Sequence, residues 1–395
     1  MKKIKQPLRN LFVVAAIAIV VSSCEDWLDF KDDDHNFSFK GETVAGNLDT
    51  PWELAFAPDG RLFLTQRPGI VTVVDNGKSH DWLKLDSVAV EVQESGLTGI
   101  TLHPDFASNG YVYVNYTYAL SKSPLKLVNR IVRYKEDPST KAPKWDKVIL
   151  DGVDGNYLHN IGALEFGPDG MLYATSGDHY SPELAQQTES LNGKILRIGP
   201  DGEVPSDNPI AGSFVYSYGH RNPQGIAFHP TTNALWETEH GPSLEQGCCM
   251  DEINVIEKNG NYGWPLIRGK QMQEGLKSPV YYSGDTTTWA PVGGIFIKHG
   301  DWAGSFVFTG LRGQALYRAV IDSNDPNKVT KVERYLHNIL GRLRNVAEDK
   351  DGNLYLAVSN QDGRGLAEFD QDRVLKFTTE EIKKLGMDET GMKVE

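Results

Sequence analysis

The chain has 395 residues, 39% hydrophobic and 24% charged, with 39 glycines and 20 prolines, enough for one large repeat-built core or two ordinary domains. Its formal net charge is −13, and loss of residues 1–23 with their four cations (Lys2, Lys3, Lys5, Arg9) takes it to −17. Such a surface repels a phosphate backbone, and no Lys/Arg run forms a basic groove, so nucleic acid is excluded as a partner. The N-terminus reads as a targeting segment: a cationic start, an unbroken apolar run from Leu11 to Val21, then Ser22, Ser23 and Cys24. The run is about half of what spans a bilayer as a helix, so it fits a signal-peptide core. Val21-Ser22-Ser23-Cys24 resembles the bacterial lipobox, in which Cys24 would be lipidated and become the mature first residue. Acyl chains would then hold the protein at a membrane surface, in the periplasm or on the outer membrane. The acidic stretch that follows reads as a solvated tether over 24–44.

From Trp52 onward one unit recurs: an apolar strand, a Pro-Asp-Gly or related turn, a second alternating strand and further strand material. The copies begin at Trp52, Gly99, Ala163, Gly225, Gly294 and Asn345. Pro58-Asp59-Gly60, Pro168-Asp169-Gly170 and Lys350-Asp351-Gly352 are hairpin signals, because Gly supplies positive φ and Asp bonds back to the turn backbone. Later pieces such as Ile70 to Val74, Arg130 to Tyr134 and Lys194 to Ile198 supply additional strands. Three to four short strands per unit, spaced by about 45–70 residues, predict an all-β fold, a six-bladed β-propeller over 45–378. Helical periodicity is confined to the leader and to Glu380–Lys384 in a C-terminal tail, 379–395.

A propeller carries its ligand at one end of the central channel, so the informative residues are in loops that break the repeat. His159 precedes the third unit and Asp178 follows its second strand, a pairing suited to general-base work. Tyr218-Gly219-His220-Arg221-Asn222 is a costly polar loop before an apolar strand, and Arg221 could meet a developing oxyanion. Gly241-Pro242, with Asp251 and Glu252 after it, offers main-chain and carboxylate oxygens of the kind hard cations take. Arg342 and Arg344 alternate with Leu343, so both guanidiniums aim to one face and invite an anion with carboxylates. Cys248 and Cys249 are adjacent; at a trans Cα spacing of about 3.8 Å a bridge would be strained, and both a vicinal disulfide and two free thiols stay open.

Together these residues resemble the soluble pyrroloquinoline-quinone (PQQ) glucose dehydrogenase and aldose sugar dehydrogenase family, from about Trp52 to Phe377. The most specific segments are Gly99 to Phe106, Phe166 to Tyr173, Asn192 to Ile198, Gly219 to Phe228, Asp251 to Asn254 and Asn261 to Pro265. The resemblance implies oxidation of an aldose to its lactone, with hydride passing to the quinone and electrons leaving to a separate acceptor. It implies His159 as base, Asp178 as its support and Arg221 beside the reacting quinone oxygen. It implies carbonyls of Gly241 and Pro242 on Ca2+, and Asn222, Thr288, Arg312, Arg342 and Arg344 as cofactor contacts. Two departures stand out: Glu94 where a Gln contact is common, which would repel an anionic cofactor unless protonated or turned away, and an insertion from Glu245 to Met250 beside the expected calcium turn. The alternative is a non-catalytic propeller that binds carbohydrate or protein at its surface. A metal-dependent lactonase propeller would want channel-lining carboxylate and Asn ligands and no arginine cluster.

Overall fold

A computed structural model describes residues 41–89, 93–243, 246–365 and 371–389. The leader, Cys24 and most of the tether lie outside the described residues. The strands form six antiparallel sheets, each ordered outward from an inner strand. The inner strands, in blade order, are Pro51–Phe56, Leu97–Leu102, Ile161–Phe166, Pro223–Phe228, Pro291–Phe296 and Leu343–Glu348. Each packs on the next and the last packs on the first, so the ring closes as a six-bladed propeller.

The turn chemistry that signalled the repeat forms as expected. Asp59 Oδ1 accepts the Arg61 N–H and Asp169 Oδ1 accepts the Met171 N–H, while Gly60 and Gly170 sit at φ 90° and 76°. Every inner strand also carries a register shift near its start, a bulge repeated in all six blades. There the inner strands approach closely: a Cβ on Gly225 would lie 1.9 Å from the Gly293 carbonyl oxygen.

The core lies between blades, as the two-sided burial of their strands requires. Phe63, Trp82, Ile100, Phe106 and Val114 join blades one and two; Trp236, Phe296, Phe306 and Phe308 join blades four and five. Full burial of each such side chain stabilises by about 1.5–3 kcal/mol.

Both ends of the chain extend past the expected boundaries of 45 and 378. Glu42–Ala45 pairs with Arg373–Phe377 as the outermost strand of blade six, so the ring is latched by the N-terminal segment. Thr379–Lys384 forms the expected helix with a capping box, and Met387–Glu389 then adds a fifth strand to blade five on Val329–Tyr335. Neither edge strand is announced by a hairpin turn, because each partner is remote in sequence. The pattern of repeats therefore could not locate them.

Candidate active site

In every blade the start of the inner strand and the end of the second strand lie at the same end of the propeller. Residues just before the one and just after the other therefore converge. His159, Arg221, Asn222, Thr288 and Arg342 precede inner strands; Asp178, Gly241, Pro242 and Arg312 follow second strands.

His159 is buried, 4% exposed, and its backbone is left-handed at φ 58°. Asn160 secures the turn that presents it, accepting the Asn156 N–H at 3.0 Å and returning a bond to the Asn156 carbonyl at 2.8 Å. Gly177 allows His159 to approach, since a Cβ there would lie 2.6 Å from the His159 carbonyl oxygen. The imidazole Nδ1 meets Asp178 Oδ1 at 2.5 Å. Asp178, fully buried, also accepts the Tyr180 N–H at 2.9 Å and the Trp264 indole N–H at 2.8 Å. An acceptor-only carboxylate places the imidazole proton on Nδ1 and leaves Nε2 as the acceptor nitrogen.

Arg221 is 2% exposed and its carbonyl accepts the Asp178 N–H at 2.7 Å, which ties the two loops together. Its guanidinium packs 5.6 Å from the Trp264 ring centroid and bonds Gln246 Oε1, Ser243 Oγ and the His240 carbonyl. The insertion beside the Gly241-Pro242 turn thus contributes Gln246 as a cap on Arg221. Within that insertion Cys248 and Cys249 form a disulfide, with Cα atoms 3.2 Å apart.

The Gly241-Pro242 turn is fixed by Asp251. Its Oδ1 accepts the Gly241 N–H at 2.8 Å, and its Oδ2 accepts the N–H groups of Trp289 and Ala290 and the Thr288 hydroxyl. Thr288 is thereby placed at the site, but its hydroxyl is spent on Asp251. Gly241, Pro242, Glu239, Glu252 and Arg221 line a cavity of about 10 Å³, room for one water-sized guest. Burial pushes Glu239 and Glu252 up to about 8. A carbonyl and carboxylate donor set of this kind fits a hard cation. His240, whose pKa burial lowers to about 4, has a buried Nε2 without a hydrogen-bond partner, which also marks a place for a guest.

The remaining cations behave unequally. Arg342 and Arg344 do aim together, and Arg344 lies 4.0 Å over the Trp52 ring. The anion they meet is the chain's own Asp362: Arg342 Nε and Nη2 and Arg344 Nη2 reach Asp362 Oδ2 at 2.9, 2.6 and 2.8 Å. Arg312 is exposed, on the turn between the second and third strands of blade five. Asn222 is buried and accepts a bond from Gln224.

The feared repulsion by Glu94 is met by a pairing the sequence did not announce. Glu94 Oε1 accepts Arg364 Nη1 at 2.9 Å and Oε2 accepts the His159 N–H at 3.2 Å. Burial alone would raise the Glu94 carboxyl, but electrostatic interactions with His159, Arg364 and His240 and the bond from the His159 N–H outweigh it and hold the group below its usual value. Asp362 and Arg364 went unnoticed because their turn, Gln361-Asp362-Gly363-Arg364, reads as an ordinary polar hairpin loop.

Fold and site together define a six-bladed propeller with a buried His–Asp pair and clustered arginines at one mouth, and its relatives make the class an oxidoreductase. The glucose/sorbosone dehydrogenase family model matches residues 48–368, and the chain belongs to that family. It is similar to the PQQ-bound aldose sugar dehydrogenase of Streptomyces coelicolor, at 36% identity and a TM-score of 0.75 over 85% of this chain and 96% of that one. It is 29% identical to the aldose sugar dehydrogenase of Escherichia coli K12 over 82% of this chain and 90% of the relative. Quinoprotein glucose dehydrogenase B of Acinetobacter calcoaceticus is 34% identical over 62% of this chain and 56% of the relative.

Proposed function

We propose that this protein oxidises an aldose at the anomeric carbon to its lactone, using PQQ and calcium. The observation that carries the reading is the buried His159–Asp178 pair at 2.5 Å, set in a site where two arginines face the same mouth. Bound PQQ, polarised by calcium, would accept the hydride from the sugar carbon. His159 Nε2 takes the proton of the anomeric hydroxyl, so that one hydride and one proton leave the sugar. Asp178 keeps the ring oriented and stabilises its charged form. Gly241, Pro242 and the neighbouring carboxylates would hold calcium, while Arg221, Asn222, Arg342, Arg344 and exposed Arg312 supply polar and cationic contacts for a tricarboxylate. A non-catalytic carbohydrate- or protein-binding propeller has no use for a base oriented by a buried carboxylate, so the enzyme reading stands ahead of it.

The test is reconstitution of the chain lacking residues 1–24 with calcium and PQQ, followed by dye reduction across a panel of sugars. Sugar-dependent reduction that disappears in His159→Asn supports the proposal; no PQQ binding, or an unchanged rate in the variant, defeats it. Export and lipidation at Cys24 belong to the same proposal and rest on the leader sequence. Mass spectrometry of the membrane fraction should find acyl chains on the native protein and none on Cys24→Ser.

A further inference from the structure

The Arg342–Arg344 pair holds an anion that the chain itself supplies. Asp362 is carried on the turn after the second strand of blade six, Leu354–Val358, and its side chain is only 4% exposed. One oxygen, Oδ2, takes three N–H groups from the two guanidiniums; the other, Oδ1, accepts the Arg364 N–H at 2.9 Å. The Nε and Nη2 of Arg342 form the edge with which an arginine grips a carboxylate in a fork, and both are spent on Asp362. Its remaining Nη1 turns to the Leu311 carbonyl at 3.4 Å. Arg344 spends Nε on Ser359 and Nη2 on Asp362. Burial acts to raise the Asp362 carboxyl, yet the charges of Arg344 and Arg342 hold it below its usual value, so it stays ionised across the neutral range.

We infer that Asp362 is a built-in competitor for ligand carboxylates at the Arg342–Arg344 pair, which a carboxylate-bearing cofactor must displace to bind there. The identity of the cofactor rests on the proposed PQQ reading, and the competition on geometry alone. Two carboxylates cannot share the Arg342 edge, because each needs the same N–H groups and the two repel. While Asp362 is in place the pair presents one net positive charge; with it displaced, two. The Arg364–Glu94 ion pair at 2.9 Å anchors the far side of the turn, so displacement need move only the Asp362 side chain and the peptide beside it.

The experiment compares the wild-type chain with Asp362→Asn, a near-isosteric change that removes the charge. PQQ binding is followed by quenching of tryptophan fluorescence, and citrate serves as a plain tricarboxylate followed by the shift in thermal midpoint. Competition predicts that the variant binds PQQ at least tenfold more tightly and gains a citrate-dependent rise in midpoint that wild type lacks. Equal or weaker binding of both ligands would overturn it and make Asp362 a positioning residue for the arginines. If wild type binds no PQQ, the cofactor reading fails, and the citrate arm still decides the competition. Should the variant fail to fold, hydrogen exchange on the wild-type chain decides instead. Exchange of the Arg364 amide, bonded to Asp362, should speed up on loading with PQQ or citrate; slower exchange with both would overturn the inference.

Discussion

His159 Nδ1 lies 2.5 Å from Asp178 Oδ1, and the indole of Trp264 secures the other oxygen of that carboxylate at 2.8 Å. The imidazole is thus held in one tautomer before any substrate arrives. Replacing His159 by Asn keeps a residue that tolerates the left-handed backbone at φ 58° while removing the base. Turnover should fall by about 10²–10⁴-fold with PQQ affinity nearly unchanged, read from dye reduction and fluorescence quenching. Asp178→Asn should cut turnover in the same range, because an amide nitrogen facing Nδ1 favours the wrong tautomer. A rate within threefold of wild type in both variants would remove the pair from the mechanism.

Glu94 and Arg364 should behave as a unit. Arg364→Gln leaves a half-buried carboxylate at the mouth without its cationic partner, and PQQ binding should weaken by about tenfold, equivalent to about 1.4 kcal/mol. The double variant Glu94→Gln/Arg364→Gln should regain most of that loss, since no carboxylate is left to repel the ligand. A double-mutant cycle on the binding constant checks this, and additive single effects would show that the two residues act separately.

These pairs mark how far the sequence could be read. The Asp-Gly turns at Gly60, Gly170 and Gly352 announce themselves because their chemistry is local, and Arg342 and Arg344 are close enough along the chain to read as one pair, although a bulge falls between Leu343 and Asn345. His159 and Asp178, 19 residues apart, were legible because both flank one hairpin, and its pairing of Ile161 with Ser176 fixes their meeting. What was not legible depends on distance along the chain. Arg364 reaches Glu94 across 270 residues, and the indole of Trp264 reaches Asp178 across 86. The closing strand Glu42–Ala45 pairs with Arg373–Phe377, at the far end of the propeller's sequence. Charge alone is also incomplete: the ion pair of Glu94 with Arg364 is invisible until the fold places the partner.

Arg61 should be a structural hinge pin between blades one and two. It leaves blade one after the first hairpin turn and bonds Glu136 through both terminal nitrogens, at 2.7 and 2.8 Å, with both side chains under 8% exposed. Arg61→Ala leaves the buried Glu136 carboxylate to the exposed Lys141 Nζ at 3.4 Å, and breaking a buried pair costs about 3–5 kcal/mol. The same arginine holds the Asp59 carboxyl below its usual value, its hydrogen bonds and charge outweighing the upward push of burial. A depressed folded pKa gives Asp59 a stabilising contribution that is present above its unfolded value and fades as pH falls through the folded one. Urea unfolding at neutral pH should show the large loss in the variant, and a pH series should show that Asp59's share of the acid-side decline has gone.

The N-terminal strand should hold the ring closed. Glu42–Ala45 covers the outer edge of blade six by pairing Glu42 with Lys376, Thr43 with Leu375 and Ala45 with Val374. Ala45 is also buried in the cluster formed by Leu54, Leu62, Leu64 and Ala347, so the latch joins blade six to blade one through side chains as well as backbone. A chain beginning at residue 41 keeps this strand; one beginning at residue 46 leaves the ladder edge of Arg373–Phe377 open to pairing with another chain. The shorter chain should unfold at a lower urea concentration and elute in part as larger species, while the longer one matches the full-length protein. Identical unfolding midpoints and elution for the two truncations would show that the ring holds without its N-terminal strand, leaving closure to the inner-strand contact between Leu343–Glu348 and Pro51–Phe56.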